Sequence, residues 1–239
     1  FGGSPLPLEE QFARLIRLSA ADASLGHVWR GHIAFVESLR QQPADLARPW
    51  FERILAGDFV GNAQSERHDT ARLETRIDRS EGRALLSGTK YYTTGSIYAD
   101  WIHLAALDGD ERVAVTVSTR DAGVRSTDDW DGFGQVLTGS GTTVFDRVPV
   151  GDDSILPPSD EAVEARWHHL GSVLQLALIA VIAGIAQRAL DDTVAFVTPR
   201  RRTFGFAGET FPREDPLVQL VVGELSVAAA TSRRLVLSV

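Results

Sequence analysis

The chain has 239 residues, 44% hydrophobic and 23% charged, which is the composition of an ordinary soluble globular protein with one large domain or two smaller ones. Its formal charge of −8 argues against nucleic acid or an anionic membrane as a partner. It has no Cys, which excludes disulfides and thiolate metal sites, and we recognise no signal peptide. We therefore expect a cytoplasmic protein.

The first third of the chain is predicted to be helical. Residues 8–20 carry apolar side chains at helical spacing on one face, and residues 21–41 repeat that pattern. Residues 44–55 predict a third helix, which Gly57 ends because glycine readily adopts the left-handed backbone of a helix C-terminus. These elements predict an N-terminal helical domain.

The next hundred residues have the pattern of β structure. Predicted strands cover 71–77, 83–94, 101–107, 112–118, 123–126 and 142–150. The turn residues at 79–82 and 108–111 predict hairpins. Because no helix is predicted between these strands, we expect an antiparallel sheet or barrel.

Two stretches of the β region are candidate binding surfaces. Residues 93–96, Thr-Thr-Gly-Ser, interrupt two strands and predict small hydroxyls and exposed backbone N–H groups beside aromatic residues. We call residues 93–96 the ledge, which would suit a flat ring with polar edges; a plain surface hairpin is the alternative. The Gly- and Thr-rich loop 128–143 carries Trp130 and Phe133, either as buried anchors or as a cover over a ligand.

The last part of the chain is again helical. A long helix is predicted for 160–197, and its middle, 170–186, is apolar nearly all round. That segment is just short of a membrane span, so we interpret it as buried in a bundle or at a subunit interface. The basic corner at 200–202 follows, and another helix begins at Pro216.

These patterns predict an α+β chain of several domains. The predicted domains are an N-terminal helical domain at 1–57, a middle antiparallel β-barrel domain at 58–156 and a C-terminal helical bundle at 157–239. The chain has no Met and stops within a predicted helix. We therefore expect both helical domains to be truncated, or Met positions to be missing from the sequence.

Three motifs, in this order, resemble the acyl-CoA dehydrogenase superfamily: K-Y-Y-T-T-G-S-I-Y-A-D-W-I at 90–102, G-Q-V-L-T-G-S-G-T-T-V-F-D-R-V-P-V at 134–150 and R-R-T-F-G at 201–205. The resemblance covers essentially the whole chain. It implies an acyl-CoA dehydrogenase-like architecture, a flavin bound between the β domain and the C-terminal helices, and a homotetramer. Where dehydrogenases read roughly T-E-P-x-A-G-S-D, residues 61–66 read G-N-A-Q-S-E, which is similar to flavin-dependent monooxygenases of the dibenzothiophene monooxygenase type.

The resemblance implies an oxidoreductase that takes reduced FMN from a separate flavin reductase. It would use O₂, through a C4a-(hydro)peroxyflavin, to oxygenate a small-molecule substrate. An FAD-dependent acyl-CoA dehydrogenase, which desaturates an acyl thioester, is the alternative, and a non-catalytic interaction module is a remote one. A catalytic Glu, for a dehydrogenase, or a His, for an oxygenase, would lie in a C-terminal segment that this chain lacks.

Carried over position by position, the resemblance implies cofactor contacts at Asn62, Gln64, Tyr92, Thr93, Thr94, Trp130, Arg201 and Phe204. Tyr92 would back the isoalloxazine ring, and the backbone and hydroxyl groups of Thr93 and Thr94 would donate hydrogen bonds near N5 and O4. Trp130 would exclude solvent from the ring.

The catalytic residues implied by the resemblance are His32, Asn62 and Thr94. The Asn62 amide would lie near the peroxide, where it can donate and accept hydrogen bonds without carrying charge. A neutral imidazole could donate a proton late in the cycle, and His27 is the alternative to His32 for that role.

The basic corner has its own rationale. Three guanidinium groups at 200–202 repel one another unless an anion or nearby carboxylates lie between them, and arginine binds phosphate in a forked geometry. The resemblance implies that Arg201 binds the flavin phosphate and that Phe204 covers the cofactor edge. A solvated corner paired with Asp191, Asp192 or Glu209 is the alternative.

Overall fold

A computed structural model describes residues 6–67, 73–80, 82–156, 163–201 and 211–238, with side chains in the fourth helix described from His169 onward. The described helices are α1 (Leu8–Ala21), α2 (Ala23–Leu39), α3 (Ala44–Ala56), α4 (Val163–Val197) and α5 (Pro216–Val236). The described strands are β1 (Val60–Ala63), β2 (Arg76–Ser80), β3 (Arg83–Lys90), β4 (Trp101–Asp108), β5 (Glu111–Ser118), β6 (Val124–Thr127), β7 (Thr142–Pro149) and β8 (Ile155–Leu156).

The described helices and most strands follow the predicted order, but β1 and β8 were not predicted, and two predicted strands differ in extent. The strand predicted at 71–77 begins only at Arg76, and the strand predicted at 83–94 ends at Lys90. The second difference has a clear cause, because Tyr92 has a left-handed backbone (φ 58°) that no strand continues through. The ledge therefore lies wholly outside β3.

Contacts divide the described chain into two compact units. The first contains His27–Leu174, and the second contains residues 6–26 and 175–238. The three domains inferred from the sequence stay a prediction.

The first unit contains one mixed sheet rather than the expected antiparallel barrel. Among the described strands the order is β6-β7-β3-β2-β4-β5-β8, and β1 also pairs with β4. The sheet is open, with β6 and β8 at its two ends, and β1 and β2 both run parallel to β4. The prediction was wrong here because hairpin turns reveal only neighbouring strands, whereas the paired residues of β1 and β4, such as Val60 and Trp101, are 41 positions apart in the chain.

The two faces of β4 bury different partners because side chains alternate along a strand. Ile102 and Leu104 are fully buried in the main core, together with Val115 of β5. On the N-terminal side of the strand, Trp101 packs with Trp50 of α3 in a second cluster. This second cluster holds α2 and α3 against the sheet, next to β1.

The second unit packs α1 with parts of α4 and α5. Phe12, Leu15 and Ile16 of α1 are buried, and a Cβ at Gly184 of α4 would lie 2.5 Å from the Ser19 side chain of α1. The small residue therefore lets the two helix backbones approach closely.

α4 is the one helix in the described chain that is long and apolar enough to cross a membrane. The most apolar 18-residue stretch of the segment His169–Val197 has a mean hydropathy of 2.0, and 33% of that stretch is buried inside the protein. The core helix of a soluble protein passes the same test. The sequence pattern predicted a helix buried in a bundle or at a subunit interface. Ile179, Ile182 and Ile185 of this helix are exposed.

A buried ion pair ties the segment after β1 to the end of β3. Lys90 is the single lysine of the chain and is fully buried, and its Nζ lies 2.6 Å from Oε1 of Glu66. The Glu66 carboxylate also accepts the backbone N–H groups of Glu74 and Thr75, at 2.6 and 3.1 Å. Burial alone would raise the pKa of Glu66, but these hydrogen bonds lower it to about 2.

We predict that Lys90→Met destabilises the protein by about 3 kcal/mol, because it leaves a buried carboxylate without its counter-charge. Urea denaturation measures the loss. The double variant Lys90→Met/Glu66→Gln removes both charges and should recover most of it. Equal stability of the single and double variants would contradict a stabilising pair.

The same pair predicts a pH dependence. The folded pKa of Glu66 is below its usual value of 4.5, so its contribution to stability is complete above about pH 4.5 and is lost as the pH falls toward 2. Glu66→Gln should remove that part of the pH dependence of the unfolding free energy. Modification of the Lys90 amine, followed by mass spectrometry, should report the opening of the pair.

Candidate functional site

The candidate site includes an exposed aromatic side chain, that of Tyr92. Its side chain is 58% exposed, and its ring meets the half-buried Trp130 edge to face, with 6.1 Å between the ring centroids. Trp130 donates its ring N–H to the carbonyl of Gly134 at 2.9 Å, which fixes the indole on its own loop. A left-handed backbone at a bulky residue costs about 1–3 kcal/mol and is concentrated at functional sites. The strain at Tyr92 therefore marks this surface as a binding candidate.

The backbone N–H groups of the ledge are not free, which corrects the sequence expectation. Those of Thr93, Thr94, Gly95 and Ser96 donate to the carbonyls of Gly141, Tyr92, Thr138 and Thr93, respectively. The physical reason is burial: buried N–H groups must be paired, and the loop after Trp130 supplies two of the carbonyls. A ligand at the ledge must therefore be recognised mainly by side chains.

Thr93 is turned into the protein. Its side chain is 1% exposed, and its hydroxyl donates to the carbonyl of Gly141 at 2.9 Å and lies 2.8 Å from the hydroxyl of Thr143. Ser126 continues this chain of hydroxyls at 2.9 Å from Thr143. The hydroxyl of Thr93 holds β7 to the ledge, and the expected contact of this hydroxyl with a ring is not supported.

Thr94 ends a second chain of hydroxyls. Its Oγ1 lies 2.8 Å from Oγ of Ser140, which lies 2.7 Å from Oγ1 of Thr138. Thr138 donates to the backbone carbonyl of Gln135 at 2.7 Å. We call Thr94, Ser140 and Thr138 the hydroxyl chain; the side chains of all three are buried.

Ser140, Thr138 and Gln135 were not among the site residues predicted from the sequence. The one signal was the density of hydroxyls in 134–143, and nothing local pairs them with a residue 46 positions earlier. Gly139 lets the chain turn between the two hydroxyls, since its φ is 59° and a Cβ there would lie 2.5 Å from Ile97.

Asn62 lies beside the ledge. Its backbone N–H donates to the carbonyl of Thr94 at 3.2 Å. Its half-buried side-chain amide has no hydrogen-bond partner among the residues that the structure describes. Gly31 of α2 makes this position possible, because a Cβ there would lie 2.5 Å from Cβ of Asn62. The amide is thus available to a ligand.

Gln64, two residues later, has its amide directed to the sheet. Its Nε2 donates to the carbonyl of His103 at 3.3 Å. His103 pairs with Asn62 across β1 and β4, and its Nδ1 lies 2.9 Å from the Thr116 hydroxyl. Burial lowers the pKa of His103 to about 4, so its imidazole is neutral at physiological pH.

The structure separates the two histidines that the sequence left open. His32 is 2% exposed, stacks on Phe59 and accepts the backbone N–H of Val60 at Nδ1, 3.1 Å away. Burial lowers its pKa to about 4. His32 is therefore a neutral part of the core, which argues against the catalytic role that the resemblance implied.

His27 is half-buried and adjoins the hydroxyl chain. Its Nδ1 lies 3.3 Å from the side-chain oxygen of Gln135, and because that oxygen only accepts, Nδ1 carries the proton of the neutral ring. Burial and the charge of Arg30 lower the pKa of His27, and the bond to Gln135 partly offsets them. Gln135 itself has a left-handed backbone, φ 53°.

Arg201 lies in the second unit, just after α4, and is exposed. The neighbouring Arg200 stacks its guanidinium over the Phe196 ring, 4.5 Å from the ring centroid. Phe204 lies outside the described residues. The phosphate-binding role of Arg201 stays a prediction, and in the described part of the chain there is no group of three or more potential metal ligands.

The chain is similar in sequence to several named proteins. It is 28% identical to dibenzothiophene monooxygenase of Rhodococcus erythropolis over 229 residues, which cover 88% of this chain and 54% of that protein. It is 26% identical to a probable FMNH₂-dependent monooxygenase, SfnC, of Pseudomonas putida, covering 99% and 60%. L-evernosamine nitrososynthase of a Micromonospora species is 32% identical, covering 78% and 47%.

The fold has a solved counterpart. The crystal structure of FMN-bound TdsC from Paenibacillus sp. A11-2 has a TM-score of 0.88 and 26% identity, covering 99% of this chain and 64% of that one. No family model matches the chain, and it spans about half the length of the curated relatives it matches. The chain is therefore a relative of dibenzothiophene monooxygenase and of the other acyl-CoA dehydrogenase-like flavin monooxygenases.

Proposed function

We propose that this chain is the FMN-binding part of a two-component, FMNH₂-dependent monooxygenase. One observation carries the proposal: the exposed Tyr92 ring contacts the half-buried Trp130 and lies two residues before the Thr94 hydroxyl. The Thr94 carbonyl accepts the backbone N–H of Asn62, whose side-chain amide is unpartnered among the described residues. An aromatic face next to a few uncharged polar groups suits a planar ring with polar edges. The FMN bound by TdsC, and the FMNH₂ dependence in the name of SfnC, support the same ligand.

The residues present fit the isoalloxazine ring. Tyr92 and Trp130 would cover it and exclude water, Asn62 would offer an amide that donates or accepts, and Thr94 would place a hydroxyl at its polar edge. Gln64 would affect the cofactor indirectly, by holding the end of β1 in place, because its amide is hydrogen-bonded to His103 of β4. When bound, reduced FMN supplies the electrons that activate O₂. A separate flavin reductase would provide it.

The substrate would be a small molecule oxygenated at sulfur, nitrogen or carbon. The names of the relatives support the monooxygenase over the FAD-dependent acyl-CoA dehydrogenase, which we do not propose.

His27 would act near the substrate, because the neutral ring has its proton on Nδ1 and presents Nε2 as an acceptor. Arg201 would bind the FMN phosphate by charge-assisted hydrogen bonds, and Phe204 would cover the cofactor edge.

We also propose a cytoplasmic homotetramer with the three-domain layout 1–57, 58–156 and 157–239. The exposed apolar side chains of α4 and α5 support assembly, because contiguous apolar patches are rare on monomers. They are Ile179, Ile182, Ile185, Val194, Phe196, Leu217, Leu220, Val221, Val227 and Leu235.

The central prediction is that the purified protein binds FMN and that Arg201→Ala weakens this binding about tenfold, the loss expected for one hydrogen bond to a charged group. Quenching of flavin fluorescence measures the affinity. Arg200→Ala is the matched control, since Arg200 stacks on Phe196, and it should change the affinity less than twofold. Equal losses in both variants would indicate a non-specific basic surface.

The second prediction distinguishes the histidines. His27→Ala should lower the rate of substrate oxygenation about 100-fold, the usual effect of losing an acid–base group, with little change in stability. His32→Ala should instead lower the unfolding free energy by about 3 kcal/mol, because it leaves a cavity and an unpaired Val60 N–H. Rates at saturating FMNH₂ and urea denaturation measure the two effects; the reverse pattern would restore His32 as the catalytic candidate.

The third prediction concerns assembly. Sedimentation equilibrium of the protein should give a tetramer, and Ile182→Arg should lower the association, because it puts a charge on an exposed apolar face of α4. Ser226→Arg makes a similar change at an exposed polar position of α5 and should leave the mass unchanged. A monomer at all concentrations would refute the assembly.

A further inference from the structure

The hydroxyl chain behind Thr94 has a definite direction. It contains three hydroxyl protons and three short contacts: Thr138 to the Gln135 carbonyl at 2.7 Å, Ser140 to Thr138 at 2.7 Å, and Thr94 to Ser140 at 2.8 Å. A carbonyl only accepts, so Thr138 uses its proton there. Ser140 must then donate to Thr138, and Thr94 must donate to Ser140.

The opposite direction leaves a short contact without a proton. Thr94 also lies 3.5 Å from the carbonyl of Tyr92, which is at the limit for a hydrogen bond. If Thr94 donated there, Ser140 would have to donate to Thr94, and Thr138 would lack a proton for one of its two contacts at 2.7 Å. Two oxygens at that distance with no proton between them repel each other, so the first direction is favoured.

Burial preserves this direction. Thr138 is 0% exposed, and Ser140 and Thr94 are each 8% exposed, so water has little access to supply a competing donor or acceptor. The proton of Thr94 is therefore committed to the protein interior. Toward a ligand, the Thr94 oxygen offers lone pairs and accepts hydrogen bonds, in contrast to the donor expected from the sequence.

The difference matters for a flavin because its N5 atom changes character on reduction. In oxidised FMN, N5 has a lone pair and accepts hydrogen bonds; in fully reduced FMN, N5 carries a hydrogen and donates one. The O4 oxygen accepts in both states. At this edge of the ring, an acceptor on the protein finds a donor only when the flavin is reduced.

We propose that Ser140 and Thr138 are positioning residues that make the Thr94 hydroxyl an acceptor, so that the site selects reduced FMN over oxidised FMN. This inference rests on the proposed function, in which Thr94 adjoins the polar edge of FMN. It explains why a protein that receives its flavin from another enzyme would hold a buried chain of hydroxyls there: the chain favours capture of FMNH₂ and release of FMN.

The test is the ratio of two dissociation constants, for FMN and for FMNH₂, measured anaerobically in the same protein. We expect the wild type to bind FMNH₂ more tightly. Thr94→Val should weaken FMNH₂ binding about fivefold, the effect of one neutral hydrogen bond, and should leave FMN binding within twofold.

Ser140→Ala removes the acceptor of the Thr94 proton, which then becomes free to donate to oxidised N5. We expect the preference for FMNH₂ to fall about fivefold.

Ser126→Ala is the matched control. Ser126 belongs to the separate chain that ends at Thr93, so its loss should leave the ratio unchanged. Ser140→Ala keeps Thr94 in place and carries the test even if Thr94→Val does not fold.

The outcomes are distinct. If Thr94→Val weakens FMN as much as FMNH₂, or if Ser140→Ala leaves the ratio unchanged, the inference is overturned while the proposed function stands. If the wild type binds neither form, the proposed function fails, and the inference fails with it.

Discussion

The constraint on which the candidate site depends is the hydrogen bonding between two segments about 45 residues apart, the ledge and the loop from Gln135 to Thr143. Each segment alone would leave buried N–H groups and hydroxyls unpaired, which is costly in a water-poor interior. Joined, they satisfy each other through the Thr94–Ser140 and Thr93–Gly141 contacts. The shape of the ledge is therefore a property of the pair of segments.

A second constraint is the close approach of α2 to β1. Gly31 leaves room for Asn62, while His32, the next residue, turns into the core and accepts the Val60 N–H. The same helix places His27 against Gln135, one turn away from these contacts. A single helix thus carries a packing contact, a structural imidazole and a candidate functional imidazole, and their burial and partners give them different roles.

The buried Lys90–Glu66 pair shows how stability and site geometry are coupled. Lys90 ends β3, two residues before the strained Tyr92, and Glu66 follows the segment with Asn62 and Gln64. Because a charge buried without its partner is strongly destabilising, the pair fixes the ends of both segments together. Anchors of this kind let a strained aromatic residue persist at a surface.

Local patterns in the amino-acid sequence predicted the helices, most strands, both hairpins and the relationship to flavin monooxygenases, because periodicity, turn residues and motifs are local properties of the chain. Through the resemblance the sequence also predicted a site that includes Asn62, Tyr92, Thr94 and Trp130; the structure shows Tyr92 in contact with Trp130 and Asn62 hydrogen-bonded to Thr94. The three-dimensional contacts were needed to show that the sheet is mixed and open, that the Thr93 hydroxyl faces inward, and that His27 contacts Gln135 while His32 is buried in the core. Only the structure, too, supplied Ser140 and Thr138 and the direction of their hydrogen bonds. The reason is physical: burial and hydrogen-bond direction arise from contacts between segments far apart in the chain, and no local pattern encodes them.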